Sequence, residues 1–241
     1  MSQLNQFDLM PTTLADLAAD SVGRMAEHTA LETHLLTLEE QYQQLGRSCA
    51  NAMAYAELEL QIARVLVNLE RGEKAWSLGR AAFEQFMAVQ AFESAVDCCD
   101  VLFRANQPDS LCALGQGIWL AVTYPIDPEL AIELLTHVIE ETPDDADGAA
   151  VAATTALFLA DMRATDNDRE NLLFFTSRLL GTVAYRHSHI TTQAAFDHWR
   201  DQLELREPQH FLGRLRNIID VLVQDDWWFD RTALQAQLPL N

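Results

Sequence analysis

Residues that interrupt helices are scarce in this chain. Only 9 glycines and 7 prolines occur among its 241 residues. The abundant residues are instead Ala, Leu, Glu, Gln and Arg, which favour helices. A β-domain of this length needs many turns, and turns depend on Gly and Pro. The sequence therefore predicts an all-α fold, and its 49% of apolar residues is enough to fill a sizeable core.

Apolar residues recur with the helical period along the chain, and short connectors separate the runs. The first two runs, about residues 13–27 and 31–45, predict a helical hairpin that ends at Gly46. Roughly ten further runs follow, to about residue 238. Inside one of them, the glycines of "LGQGIW", Gly115 and Gly117, indicate close packing against a neighbouring helix rather than a phosphate-binding loop.

The stretch "DPELAIELLTHVIEETPDD" has a small residue, Ala131, twelve residues before Pro143. A second stretch, "AFESAVDCCDVLF", places Phe92 three residues before Ala95. Both resemble the second helix of a tetratricopeptide repeat, a unit of about 34 residues in which a small side chain lies where two helices cross. The resemblance covers about residues 50–180 and is degenerate.

The resemblance implies a stack of antiparallel helical hairpins, a tetratricopeptide-like solenoid with capping helices at both ends. We expect residues 1–49 to form an N-terminal helical hairpin and residues 50–180 to form the repeats. Residues 181–241 are expected to form a C-terminal helical cap with a Trp-rich segment. A compact helical bundle is the alternative architecture.

The formal net charge of -20 limits the possible partners. Such a charge repels nucleic-acid phosphates and anionic lipids, and it favours a partner protein with a basic patch. Neither a signal peptide nor an apolar run long enough to span a membrane is recognisable in the sequence. Cys98 and Cys99 lie in an apolar helical pattern, and the four cysteines form no C-x-x-C pair. Buried free thiols and a cytoplasmic location are therefore expected.

The sequence contains no motif of a nucleophilic or nucleotide-binding enzyme, so we expect neither catalysis nor a cofactor. Asp144, Asp145 and Asp147 precede an apolar run and are expected to cap its helix. No metal site is expected. The alternative interpretation is an all-helical metal-dependent or small-molecule enzyme. It would use the histidine-rich region that contains His187, His189, His198 and His210.

The segment "REPQHFLGRL" contains Glu207, Pro208 and His210. It resembles the E-P-x-H segment of the all-helical chaperones that mature molybdenum reductases. It departs from that pattern at Gln209, where an aspartate is usual, and it lies nearer the end of the chain. Pro208 as the first residue of a helix explains the segment without any function.

The segment "DDWWFDR" supplies Trp227, Trp228 and Phe229. We expect one tryptophan to pack over the end of the helix stack and the other to stay partly exposed. Trp is enriched at interface hot spots, so these three residues, with Trp119 and Tyr124, are the predicted partner-binding residues. The predicted function is a non-enzymatic, bacterial protein-binding module or accessory factor. Its partner could be a multi-subunit metalloenzyme such as nitrogenase or a molybdenum reductase.

Overall fold

The computed structural model describes residues 14–45, 51–165 and 168–238. These residues form helices connected by short turns, and the described ranges contain no strand. The helices are α1 (Leu14–Gln44), α2 (Ala52–Asn68), α3 (Gly72–Ala88), α4 (Phe92–Arg104), α5 (Ser110–Thr123), α6 (Pro128–Glu141), α7 (Gly148–Arg163), α8 (Arg169–Ser188), α9 (Gln193–Gln202), α10 (Pro208–Val223) and α11 (Arg231–Gln235).

Consecutive helices from α1 to α8 pack against one another as antiparallel pairs. Helices α2, α4, α6 and α8 also contact one another in that order, so they form one layer of the stack. Helices α3, α5 and α7 form the other layer, against which α10 packs at α5 and α7. The predicted all-α fold of stacked helical hairpins is confirmed. No helix in the described part of the chain is long and apolar enough to cross a membrane.

Helix α5 is the centre of the stack, and it is buried continuously from Cys112 to Ala121. A Cβ atom added to Gly115 would lie 2.5 Å from Cγ2 of Val223 on α10. One added to Gly117 would lie 2.6 Å from Cβ of Cys99 on α4. Both distances are shorter than two non-bonded carbon atoms can approach, so only glycine at these two positions allows α10 and α4 to pack this closely on α5. The packing role predicted for the two glycines is confirmed.

The N-terminal hairpin predicted for residues 13–45 is wrong, because α1 is one continuous helix from Leu14 to Gln44. Neither glycine nor proline occurs between the two predicted helices, so nothing removes a backbone hydrogen bond there. The Thr29 hydroxyl donates to the Met25 carbonyl oxygen at 2.8 Å, four residues earlier in the same helix. Such a bond forms on a continuous helix and does not interrupt it. Leu35 and Leu38 are buried, and this half of α1 packs against α2.

Ala131, the fourth residue of α6, is 1% exposed, as its position in the repeat-like stretch predicts. Replacing it with leucine adds three carbon atoms to a packed interface. We expect Ala131→Leu to lower the free energy of unfolding by about 1–3 kcal/mol in chemical denaturation. The matched control is Ala81→Leu, at an exposed position of α3, which should change it by less than about 0.5 kcal/mol. Equal effects of the two substitutions would contradict the close packing at Ala131.

Candidate functional site

A groove with a volume of about 510 Å³ lies between α2, α4 and α6. Six carboxylates and two guanidinium groups line it, so the groove is acidic. We call this surface the acidic groove. Its charged residues are Arg64 from α2, Glu93, Asp97, Asp100 and Arg104 from α4, and Asp127, Glu129 and Glu133 from α6 and the turn before it.

The helical period places these carboxylates on one side of each helix. On α4, Glu93, Asp97 and Asp100 are spaced by four and three residues, which puts them on one face. On α6, Glu129 and Glu133 are four residues apart in the same way. The opposite faces are apolar and buried, with Cys99 on α4 and Leu134 on α6 in the core. Burial of the apolar faces therefore turns the acidic faces toward the groove.

The groove's two arginines compensate only part of its negative charge. Arg64 forms an ion pair with Asp97. Arg104 lies 3.5 Å from Oδ2 of Asp100 and also donates to Asn68 at 3.1 Å. Within the described ranges, no ion pair involves Glu129 or Glu133. These two exposed carboxylates therefore give the groove an uncompensated negative charge that a basic group can meet.

Asp100 is the buried carboxylate of the groove, with 4% of its surface exposed. Its Oδ1 atom lies 2.7 Å from Nε2 of His137 on α6, which donates an N–H to it. The His137 ring packs against Phe103 with 4.5 Å between ring centroids. The ligand atoms of Asp100, Glu133 and His137 all lie within 4.8 Å of one another. Among the described residues, these three are the group of side chains that could hold a metal ion.

This group is not among the predicted sites, although part of its signal is in the sequence. Glu133 and His137 form an E-x-x-x-H pair inside the stretch "ELLTH", and that spacing places both side chains on one face of a helix. The third member, Asp100, lies on α4 and becomes a neighbour only because α4 and α6 pack side by side.

A more apolar pocket of about 360 Å³ borders the acidic groove on the other side of α6. Ile132 from α6 and Leu172 and Phe175 from α8 supply its apolar walls. Glu129 and Glu133 line both cavities, so the two adjoin at these carboxylates. Phe175 is 49% exposed, so part of this apolar wall faces solvent. This face of the layer therefore offers carboxylates and exposed apolar surface next to each other.

The predicted partner-binding aromatic residues lie elsewhere, at the end of α5 and in the C-terminal segment, which packs against rings of α3. Trp119 is 7% exposed and contacts the other rings, with centroid distances of 5.3 Å to Phe229, 6.2 Å to Trp227 and 6.5 Å to Tyr124. Trp228 contacts Phe83 of α3 at 5.3 Å. The rings pack within the chain, and their role in binding a partner stays a prediction.

Trp227 and Trp228 are both half-buried, so the partial exposure expected of one of them is found at both, and the expected contrast between the two is wrong. Neither covers the end of the stack, since the segment after α10 turns back over α3 and α5. The Gln116 side chain anchors it by donating to the Asp226 carbonyl oxygen at 2.8 Å. The segment is neither helix nor strand at these positions, so successive rings can face the same side. The Arg80 guanidinium lies 4.0 Å from the centre of the Trp228 ring, and the Arg231 guanidinium lies 3.8 Å from the centre of the Trp227 ring.

The histidine-rich region does not bring its four histidines together as a group of metal ligands. His187 Nε2 lies 3.2 Å from Asp147 Oδ1, and its Nδ1 accepts from the Trp199 indole at 3.2 Å. His198 and His210 are exposed, and Pro208 begins α10 as the sequence predicted. His189 ends α8 in the left-handed conformation. The ring nitrogens of His187 are therefore occupied by structural contacts.

Asp147 occupies the N-cap position of α7, but its side chain does not cap the helix. Its carboxylate instead accepts from Arg214 at 2.6 Å and faces His187. The capping role predicted for this acidic run is therefore wrong at Asp147. His187 of α8 and Arg214 of α10 bind the Asp147 carboxylate in place of the backbone N–H groups of α7, since a charged donor such as Arg214 forms the stronger hydrogen bond.

Cys98, Cys99 and Cys112 are free and buried, as expected, and Cys49 lies outside the described residues. Burial is the main cause that raises the pKa of the Cys98 and Cys99 thiols well above the ordinary value. Desolvation raises the pKa of Cys112 as well. A thiol with a raised pKa is seldom a thiolate, so these residues act as packing groups rather than nucleophiles.

Comparisons with models of protein families, with curated proteins and with solved structures found no match. The tetratricopeptide-like resemblance therefore rests on the sequence pattern of "AFESAVDCCDVLF" and "DPELAIELLTHVIEETPDD". The candidate site rests on the geometry of the acidic groove.

The contacts of the two tryptophans give a prediction about stability. We expect Trp227→Ala and Trp228→Ala each to lower the free energy of unfolding by about 2–4 kcal/mol, somewhat less than for a fully buried ring. The control is Phe174→Ala, at an exposed ring of α8, which should change it by less than about 0.5 kcal/mol. Chemical denaturation measures all three. A neutral effect of either tryptophan substitution would show that the cluster does not hold the C-terminal segment.

Proposed function

We propose that this protein is a non-enzymatic binding module that holds a basic segment of a partner protein in the acidic groove. The observation that carries the proposal is the pair of exposed carboxylates, Glu129 and Glu133, at the border of the groove and the apolar pocket. Lysine or arginine side chains of a partner would meet these charges. Stacked helical hairpins commonly bind peptides on such a surface.

The chemistry of the two cavities defines the partner segment more closely. The acidic groove favours two or three Lys or Arg side chains. The adjoining pocket, with Ile132, Leu172 and Phe175, favours a large apolar side chain next to them. We therefore propose a segment in which a basic cluster is followed by an aromatic or aliphatic anchor. The formal net charge of -20 would speed the encounter with such a segment.

The setting that we propose is the cytoplasm, where the free thiols Cys98, Cys99 and Cys112 would remain reduced. We further propose that the chain is a degenerate tetratricopeptide-like protein, in keeping with its stacked hairpins. A docking role without chemistry of its own suits an accessory factor of a larger enzyme, and a multi-subunit metalloenzyme remains our proposed partner class.

Fluorescence anisotropy with labelled synthetic peptides tests the docking proposal. One peptide carries three Lys or Arg residues followed by Phe, and a second carries Gln in place of the basic residues. We expect Glu129→Gln combined with Glu133→Gln to weaken binding of the basic peptide about tenfold, since two attractive charges are lost. The neutral peptide should bind more weakly and respond little to the substitutions.

The matched control removes the same charge from α1, where Glu39 and Glu40 are exposed and remote from the groove in sequence. Glu39→Gln combined with Glu40→Gln should weaken binding less than about twofold, because neither side chain lines the groove. Equal weakening by the two double substitutions would mean that only the net charge attracts the peptide. That result would contradict docking in the acidic groove.

A further inference from the structure

We propose that Asp100, Glu133 and His137 form a binding site for a divalent transition-metal ion such as Zn²⁺. The three side chains meet between α4 and α6, where the acidic groove joins the apolar pocket. Each offers one ligand atom, and the three atoms lie within 4.8 Å of one another. The site shares Glu133 with the proposed docking surface, but it needs no partner chain, so ion binding can be tested in the absence of any peptide.

The distances suit a small ion after a modest adjustment. Tetrahedral zinc with ligand bonds of about 2.0–2.1 Å separates its ligand atoms by roughly 3.3 Å. Asp100 Oδ1 and His137 Nε2 are 2.7 Å apart, so an ion that replaces the shared proton needs them to separate slightly. Glu133 is exposed, and its side chain is free to rotate toward the ion.

The burial of Asp100 favours an ion at this position. A carboxylate that is 4% exposed has lost most of its hydration, and such a charge requires compensation. Its partners here are one imidazole N–H and the Arg104 guanidinium, whose Nη1 atom is 3.5 Å away. Arg104 is held to Asn68 as well, and its side chain is 40% exposed. A divalent ion between Asp100 and His137 would compensate the buried charge more completely.

The outer contacts of His137 also match those of a metal-binding histidine. A ligating imidazole usually has a carboxylate near its second nitrogen, which fixes the ring orientation. Glu140 Oε2 lies 3.9 Å from His137 Nδ1, and Phe103 packs on the ring face. Both contacts orient Nε2 toward Asp100. The imidazole directs the choice of ion toward zinc and its neighbours rather than toward calcium or magnesium.

Three protein ligands leave one coordination position open to the groove. A water molecule or an incoming side chain could occupy that position. The bound ion would also offset part of the negative charge of the groove. Arg104 opposes the ion, because its positive charge is close to Asp100. The proposal therefore predicts that removal of this charge by Arg104→Gln increases the affinity for the ion several-fold.

Isothermal titration of the chelator-treated full chain with Zn²⁺ tests the site, and Co²⁺ gives an absorption spectrum that reports tetrahedral coordination. We expect one ion per chain. Glu133→Gln and His137→Gln should each weaken binding at least tenfold. Circular dichroism checks folding, and Glu133→Gln remains informative if His137→Gln does not fold, since Glu133 is exposed.

Two control substitutions match these changes. Glu141→Gln removes the same charge from an exposed position of α6. His187→Gln disrupts an Asp–His pair to which the described residues add no third ligand. Each should change the affinity less than twofold. The absence of saturable binding, or equal losses in the site and control variants, would overturn the proposal. Peptide binding measured in the presence of chelator tests the docking proposal separately.

Discussion

The close approach of three helices at Gly117 is the constraint on which the rest of the structure depends. A Cβ atom there would collide with Cys99 of α4 and would lie 3.2 Å from Cδ1 of Leu134 of α6. Asp100 follows Cys99 in the chain, and Glu133 precedes Leu134. The absence of a side chain at Gly117 therefore sets the spacing of α4 and α6 in the core, and with it the spacing of the acidic side chains on their opposite faces.

The apolar and the acidic faces of α4 and α6 have different roles. Their apolar faces bury against α3, α5 and α7 and supply stability, because burial of apolar surface is the main favourable term in folding. Their acidic faces are then held in a fixed geometry that their own mutual repulsion would not favour. The ion pair of Arg64 with Asp97 and the hydrogen bond of His137 to Asp100 offset part of that repulsion. The remaining charge at Glu129 and Glu133 is the part that can attract a partner.

Much of the fold could be predicted from the sequence, because helix period, small residues and turn residues are local signals. The spacing of Ala131 from Pro143, and the position of Gly115 and Gly117 inside a helical pattern, are sufficient to predict close packing at these residues. The predicted hairpin at the N-terminus failed because the stretch after Glu27 has no residue that stops a helix. The acidic groove could not be predicted, since it depends on which helices become neighbours. Asp100 and His137 are 37 residues apart, and only the stacking of α4 beside α6 joins them.

Chemical denaturation of Gly117→Ala beside Gly181→Ala tests the central packing claim most directly. Alanine favours a helix over glycine by about 1 kcal/mol, so both substitutions would be stabilising if propensity alone decided. Gly181 has no atom within 4 Å of an added Cβ, and the account predicts a gain of up to about 1 kcal/mol there. At Gly117 it predicts a loss of about 1–3 kcal/mol from overpacking. A gain of stability at both positions would contradict it.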